Sequence, residues 1–157
     1  MIYVLFRNAS LTSGDQQLRT PLMAAVFYKN VKIVEYLFKV HYNSHMEEIQ
    51  KMTDVEQRNI LHLAILSRDN AIISCLLRLV EDSVLSVLRR GADSKGNLPL
   101  HSSAQTGAMG ELTSTFINLH SDTELRIRNE MGQTVFHVAA KHGSSLVIQV
   151  ILLLQSI

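Results

Sequence analysis

The sequence predicts an all-α fold, a solenoid of stacked helix pairs with irregular inserts between them. Three observations predict it. Of the 157 residues, 46% are hydrophobic and 18% charged, a globular balance, while aromatics are only 6% and Trp is absent. The core is therefore expected to be Leu, Ile, Val and Ala. A short motif rich in Leu and Ala recurs four times in order. An apolar stripe with helical spacing follows it, as in Ile72, Ile73, Leu76 and Leu77.

The chain, residues 1–157, is expected to form one domain. Within residues 1–16, the apolar run Met1 to Phe6 is expected to be the last turn of an outer helix from a preceding repeat. The first unit, near 17–40, carries Thr20-Pro21-Leu22-Met23-Ala24-Ala25 and then Ile33-Val34-Glu35-Tyr36-Leu37-Phe38. The second, near 57–80, carries Asn59-Ile60-Leu61-His62-Leu63-Ala64 and then Ile72 to Leu77. The third, near 96–119, carries Leu98-Pro99-Leu100-His101-Ser102-Ser103-Ala104 and Gly107. Its serines stand at apolar positions and its second helix is irregular around Gly110-Glu111-Leu112, so it is expected to be the least stable unit. The fourth, near 132–157, carries Thr134-Val135-Phe136-His137-Val138-Ala139-Ala140, Gly143 and Val147 to Leu152.

Each motif residue has a physical reason. Thr at the start accepts from a backbone N–H of the first turn. Pro at the first helical position lacks only an N–H that would be unpaired there anyway. Small Ala residues let neighbouring helices approach. Gly near the helix end supplies the left-handed turn, although Lys29 and Arg68 replace it in the first two units. Between Leu22, Leu61, Leu100 and Phe136 the steps are 39, 39 and 36 residues. Each junction therefore carries extra residues. Met46 to Met52 is expected to form a short helix in the first insert, and Val84-Leu85-Val87-Leu88 another in the second. The third insert lies around Asn118 to Asn129. Solenoid ends normally carry polar caps, and their absence here predicts a piece of a longer array.

The motif and its repetition resemble the ankyrin-repeat family, whose signature is T-P-L-H-x-A at a period of about 33. The resemblance covers nearly the whole chain. It implies a non-catalytic protein-interaction module that binds through finger tips and the concave face of the inner helices. The candidate contact residues on that reading are Phe27, Tyr28 and Lys29 with Met23, then Ser67 and Arg68 with Leu66, then Gln105 and Thr106, then Lys141 and His142. A second resemblance is narrower. Arg19-Thr20-Pro21-Leu22 with Asn30 and Ile33-Val34 precedes Arg58-Asn59-Ile60-Leu61-His62-Leu63. A long insert, Gly96-Asn97-Leu98-Pro99-Leu100-His101 and Gly107-Ala108-Met109-Gly110 follow. This order resembles a stretch late in the cytoplasmic ankyrin array of TRPA-type transient receptor potential cation channels. It implies a membrane channel as parent, with this segment on its cytoplasmic face and the pore outside this chain. The alternative expectation is a soluble cytoplasmic adaptor or scaffold that recruits a signalling partner. On both readings the partners are proteins, or neighbouring repeats and subunits, and no cofactor is needed.

Other chemistry is excluded or unsupported. Net charge is +1, and the densest basic cluster, Arg89-Arg90, is too short for nucleic acid. One Cys, Cys75, excludes an internal disulfide framework and fits a reducing compartment. The longest apolar stretch, Leu146 to Leu154, falls short of the roughly 20 residues that span a bilayer. No P-loop, G-x-S-x-G or G-x-G-x-x-G occurs. His62, His101 and His137 recur once per unit, so they form a ladder of structural hydrogen bonds rather than a metal cluster. His41 and His45 are four apart but lack a third ligand.

Overall fold

The computed structural model describes residues 10–107 and 122–154, and every regular element among them is helical. The inner helices are α1 (Pro21–Phe27), α4 (Ile60–Ser67), α7 (Pro99–Thr106) and α9 (Val135–His142). They pack in one row, each on the next. The outer helices α2 (Val31–Val40), α5 (Asn70–Leu79) and α10 (Ser145–Leu154) return behind α1, α4 and α9, and α2 lies against α5. The irregular helix expected around Gly110 to Leu112, and the turn expected at Met1 to Phe6, fall outside the described residues.

The sequence sets each helix boundary locally. The Thr20 hydroxyl accepts from the Met23 N–H at 3.3 Å, and Pro21 follows at the first helical position. The Asn59 side chain accepts from the N–H groups of Leu61 and His62 at 3.1 and 3.2 Å. The inner helices end on Lys29, Arg68, Gly107 and Gly143, with φ of 62, 56, 67 and 69°. The two non-glycines thus hold the same left-handed turn as the two glycines. An L side chain there costs about 1 kcal/mol or more.

The inserts are structural. Met46–Ile49 forms α3 and Asp82–Leu88 forms α6, which pack together. Ile49 and Met52 from the first insert join Val84, Leu85 and Leu88 from the second in the core shared by units one and two. At ~1.5–3 kcal/mol for each fully buried aliphatic side chain, these residues anchor the extra length rather than leave it as loop. The third insert carries α8 (Asp122–Arg126). Its buried Glu124 carboxylate sits 3.4 Å from Arg89 and 3.2 Å from Arg90, joining the second and third inserts.

Candidate protein-interaction surface

The surface is built on four five-residue fingers, one before each inner helix. Asp15, Asp54, Asp93 and Asn129 each stand five residues ahead of the helix caps Thr20, Asn59, Leu98 and Thr134. In each finger the Oδ1 accepts two backbone N–H groups, two and four residues on. The partners are Gln17 and Arg19, Glu56 and Arg58, Lys95 and Asn97, and Met131 and Gln133, all within 2.7–3.1 Å. The residue between them has positive φ: Leu18, Gln57, Gly96 and Gly132. Neighbouring fingers are tied by one backbone bond per junction, and the Asn129 amide adds a side-chain bond to the Asn97 Oδ1 at 2.9 Å. The N–H groups of Val55, Ser94 and Glu130 donate to the carbonyls of Gln17, Glu56 and Lys95 at 3.0, 2.8 and 3.0 Å.

A second ladder runs through the histidines. His62 Nε2–H donates to the Asn97 carbonyl at 2.9 Å, and its Nδ1 accepts from the Asn59 N–H at 3.3 Å. His101 repeats this with the Gln133 carbonyl at 3.2 Å and the Leu98 N–H at 3.3 Å. Both imidazoles are buried, and burial pushes their pKa below the ordinary value of 6.5. His137 bonds only its own cap among the described residues, to the Thr134 N–H at 3.3 Å and the Thr134 hydroxyl at 2.8 Å. The ladder expected from the motif therefore links units two to three and three to four. In unit one Met23 takes the position, so that junction relies on apolar packing, the finger bond and the exposed Glu35–Arg78 ion pair at 2.6 Å.

Between the fingers and the inner helices of units two to four lies an open polar groove of about 300 Å³. Of the predicted contact residues, Leu66, Gln105, Lys141 and His142 line it. So do Glu56, Asp93 and Lys95 from the fingers, which the motif reading missed. The available signal was the recurrence of Asp or Asn at the same 39, 39 and 36 spacing. A second hollow, about 450 Å³, opens at the far ends of the inner helices and gathers Arg68, Gln105, Thr106 and His142. Phe27, Tyr28 and Lys29 belong to neither. Phe27 packs under the Arg19 guanidinium, 3.9 Å from the ring centre, and edge-on to the exposed Tyr28.

Two expectations are corrected. Met23 is not a surface residue, because its side chain is fully enclosed between α1 and its neighbours. Ser67 is buried too. Its hydroxyl donates to the Ala64 carbonyl at 2.7 Å and accepts from the Asp69 N–H at 3.2 Å, which closes the end of α4. The buried Ser103 resolves its apparent misfit likewise, donating to the Leu100 carbonyl at 2.8 Å.

Charge in the groove is unevenly compensated. Asp54 holds Arg58 through two bonds of 2.6 and 2.8 Å, and Arg58 also reaches Glu56 at 3.3 Å. Asp93 is occupied by its own finger and by the Asn97 amide. Lys95 and Lys141 form no ion pair among the described residues. Outside the groove, burial and the nearby Glu35 raise the Cys75 thiol pKa, which suits a packing residue. Burial, then Glu48, pushes the Tyr42 phenol up to about 12 while it donates to the Leu11 carbonyl at 3.0 Å. Among the described residues no group of three or more His, Cys, Asp or Glu is placed to hold a metal ion.

Helix pairs stacked in register, each led by a finger hydrogen-bonded to the next, define a solenoid interaction module. The chain belongs to the ankyrin-repeat family: the family model described as ankyrin repeats (three copies) matches residues 1–87. The same finger and inner-helix pattern continues beyond that range at 93–106 and 129–142. No curated protein matches the sequence. Among the described residues, no helix is long and apolar enough to cross a membrane.

Proposed function

We propose that this protein-interaction module takes an extended, acidic segment of a partner protein in the groove of units two to four. The observation that carries this is the charge arrangement. Arg58 is neutralised by Asp54 and Glu56 of its own finger, whereas Lys95 and Lys141 line the groove and form no ion pair among the described residues. Exposed polar groups on rigid fingers can pair with a ligand at little reorganisation cost. We further propose that the segment serves the cytoplasmic array of a TRPA-type cation channel. The order of motifs from Arg19-Thr20-Pro21-Leu22 through Gly107-Ala108-Met109-Gly110 supports that assignment.

The full-length transcript tests the channel assignment. Further ankyrin units upstream and a downstream set of apolar helices of roughly 20 residues are expected. A reading frame that runs only into soluble repeats or interaction domains would overturn it in favour of a cytoplasmic adaptor.

A further inference from the structure

We propose, on the reading that an acidic segment fills the groove, that the Ser102 hydroxyl on the groove floor is its specificity-determining donor and takes one carboxylate side chain of that segment over α7.

The inner helices of units two to four carry two equivalent positions, three residues apart on one helical face. They are Leu63 and Leu66 in α4, Ser102 and Gln105 in α7, and Val138 and Lys141 in α9. Leu63 is fully enclosed, and the other five line the groove. Of the three helices, α7 alone has a hydroxyl and an amide there. The apolar Leu66 and Val138 lie on the helices to either side.

Ser102 is an unusual serine. It is 4% exposed, yet its hydroxyl makes no hydrogen bond among the described residues. A helical serine commonly bonds back to a carbonyl of the preceding turn. The other two hydroxyls of α7 do this: Ser103 donates to the Leu100 carbonyl at 2.8 Å and Thr106 to the Ser103 carbonyl at 3.3 Å. Nor is the Ser102 oxygen among the polar atoms sealed away without a partner, so its opening is onto the groove it lines. A buried donor left unanswered by the fold is accounted for by an acceptor from outside it.

The surroundings select the acceptor. Lys95 and Lys141 line the same groove and form no ion pair among the described residues. The acids that line it are already engaged. Glu56 meets Arg58 at 3.3 Å, and Asp93 accepts from the N–H groups of Lys95 and Asn97 and from the Asn97 amide. A carboxylate laid over Ser102 answers the hydroxyl and the lysine charge together. A hydrogen bond to such an anion is about twice as strong as a neutral one.

Two variants of nearly one shape, Ser102→Thr and Ser102→Val, separate the hydroxyl from the packing, and unit four already holds Val138 at this position. The probe is the most enriched acidic twelve-residue peptide from a displayed random library panned on the wild-type chain, labelled and followed by fluorescence anisotropy. Ser102→Thr should keep the wild-type affinity, and Ser102→Val should lose about tenfold, the loss of one hydrogen bond to a charged group. Ser102→Val should melt no lower than Ser102→Thr, which separates lost contact from lost fold. Each Asp or Glu of the peptide is then changed in turn to its amide. One such change should cost about tenfold against the wild type and Ser102→Thr, and little against Ser102→Val. Equal affinities of the Thr and Val variants overturn the role of Ser102. If Lys95→Glu and Lys141→Glu still weaken the peptide in that case, the groove takes acidic segments by its lysines alone; if they do not, neither assignment holds. A hydroxyl effect coupled to no single carboxylate also overturns the proposal, because the donor then serves the peptide backbone.

Discussion

Replacing His62 by Met isolates the histidine ladder, because Met23 already occupies the same position in the first unit. His62 is fully buried and bridges two units through the Asn97 carbonyl. Its loss removes that bond, worth about 1 kcal/mol net. The Asn97 carbonyl keeps its 2.9 Å bond from the Asp93 N–H, so it is not orphaned. The Asn59 N–H loses its imidazole acceptor in a buried place, which costs about 1–3 kcal/mol. The expected total is about 2–4 kcal/mol. At roughly 2–4 °C per kcal/mol for a domain of this size, the melting temperature should fall by about 4–15 °C.

The same substitution changes the pH profile. His62 and His101 have folded-state pKa values below the ordinary 6.5, so each takes up its proton at lower pH in the fold than in the unfolded chain. Below pH 6.5 the unfolded chain binds the extra protons and stability falls as pH falls. Their contribution is complete above that pH. Between its unfolded and its lower folded pKa, each buried imidazole contributes a slope of up to about 1.4 kcal/mol per pH unit. Urea unfolding of wild type and His62→Met between pH 8 and 5 reads this directly. The variant should start less stable at pH 8 and lose less on acidification. Equal stabilities at pH 8 with parallel pH profiles would refute the inter-unit role of the imidazole.

Three other outcomes follow from the structure. Arg68→Gly should raise the melting temperature by about 1–3 °C by relieving a left-handed side chain, whereas Gly107→Ala should lower stability by about 1 kcal/mol; opposite signs in the two melts are the check. Glu124→Gln should cost about 1–3 kcal/mol in chemical unfolding, because it leaves the largely buried Arg89 beside a neutral amide. Leu61→Asp or Ala139→Asp should abolish the cooperative thermal transition followed by circular dichroism, since each puts a charge into the nearly solvent-free inner-helix row; a wild-type melt would contradict the stacking.

The helix rows could be read from the sequence because periodicity and end signals agreed. Thr20-Pro21 and Asn59 start their helices, and the apolar spacing at Val84 to Leu88 revealed a helix inside an insert. The imidazole ladder follows from a His at the same motif position in units two to four. The fingers were hidden for a local reason. Their turn position is Gly in two units but Leu18 and Gln57 in the others, so no glycine pattern marked them. The motif alone puts Met23 and Ser67 at the surface, because distance along a helix says nothing of which side faces the neighbour. The sharing of Glu124 between Arg89 and Arg90, and the reach of Glu35 to Arg78, depend on packing between elements 34 to 43 residues apart.

The recognition claim for the groove is tested most directly by selection. A displayed library of random twelve-residue peptides is panned on the chain, and the enriched peptides are titrated against Lys95→Glu, Lys141→Glu and Tyr36→Lys variants. The account predicts acidic peptides whose affinity falls about tenfold with either groove substitution, near 1.4 kcal/mol, and is unchanged by Tyr36→Lys. Enriched peptides without acidic residues, or affinities indifferent to Lys95 and Lys141, would contradict it.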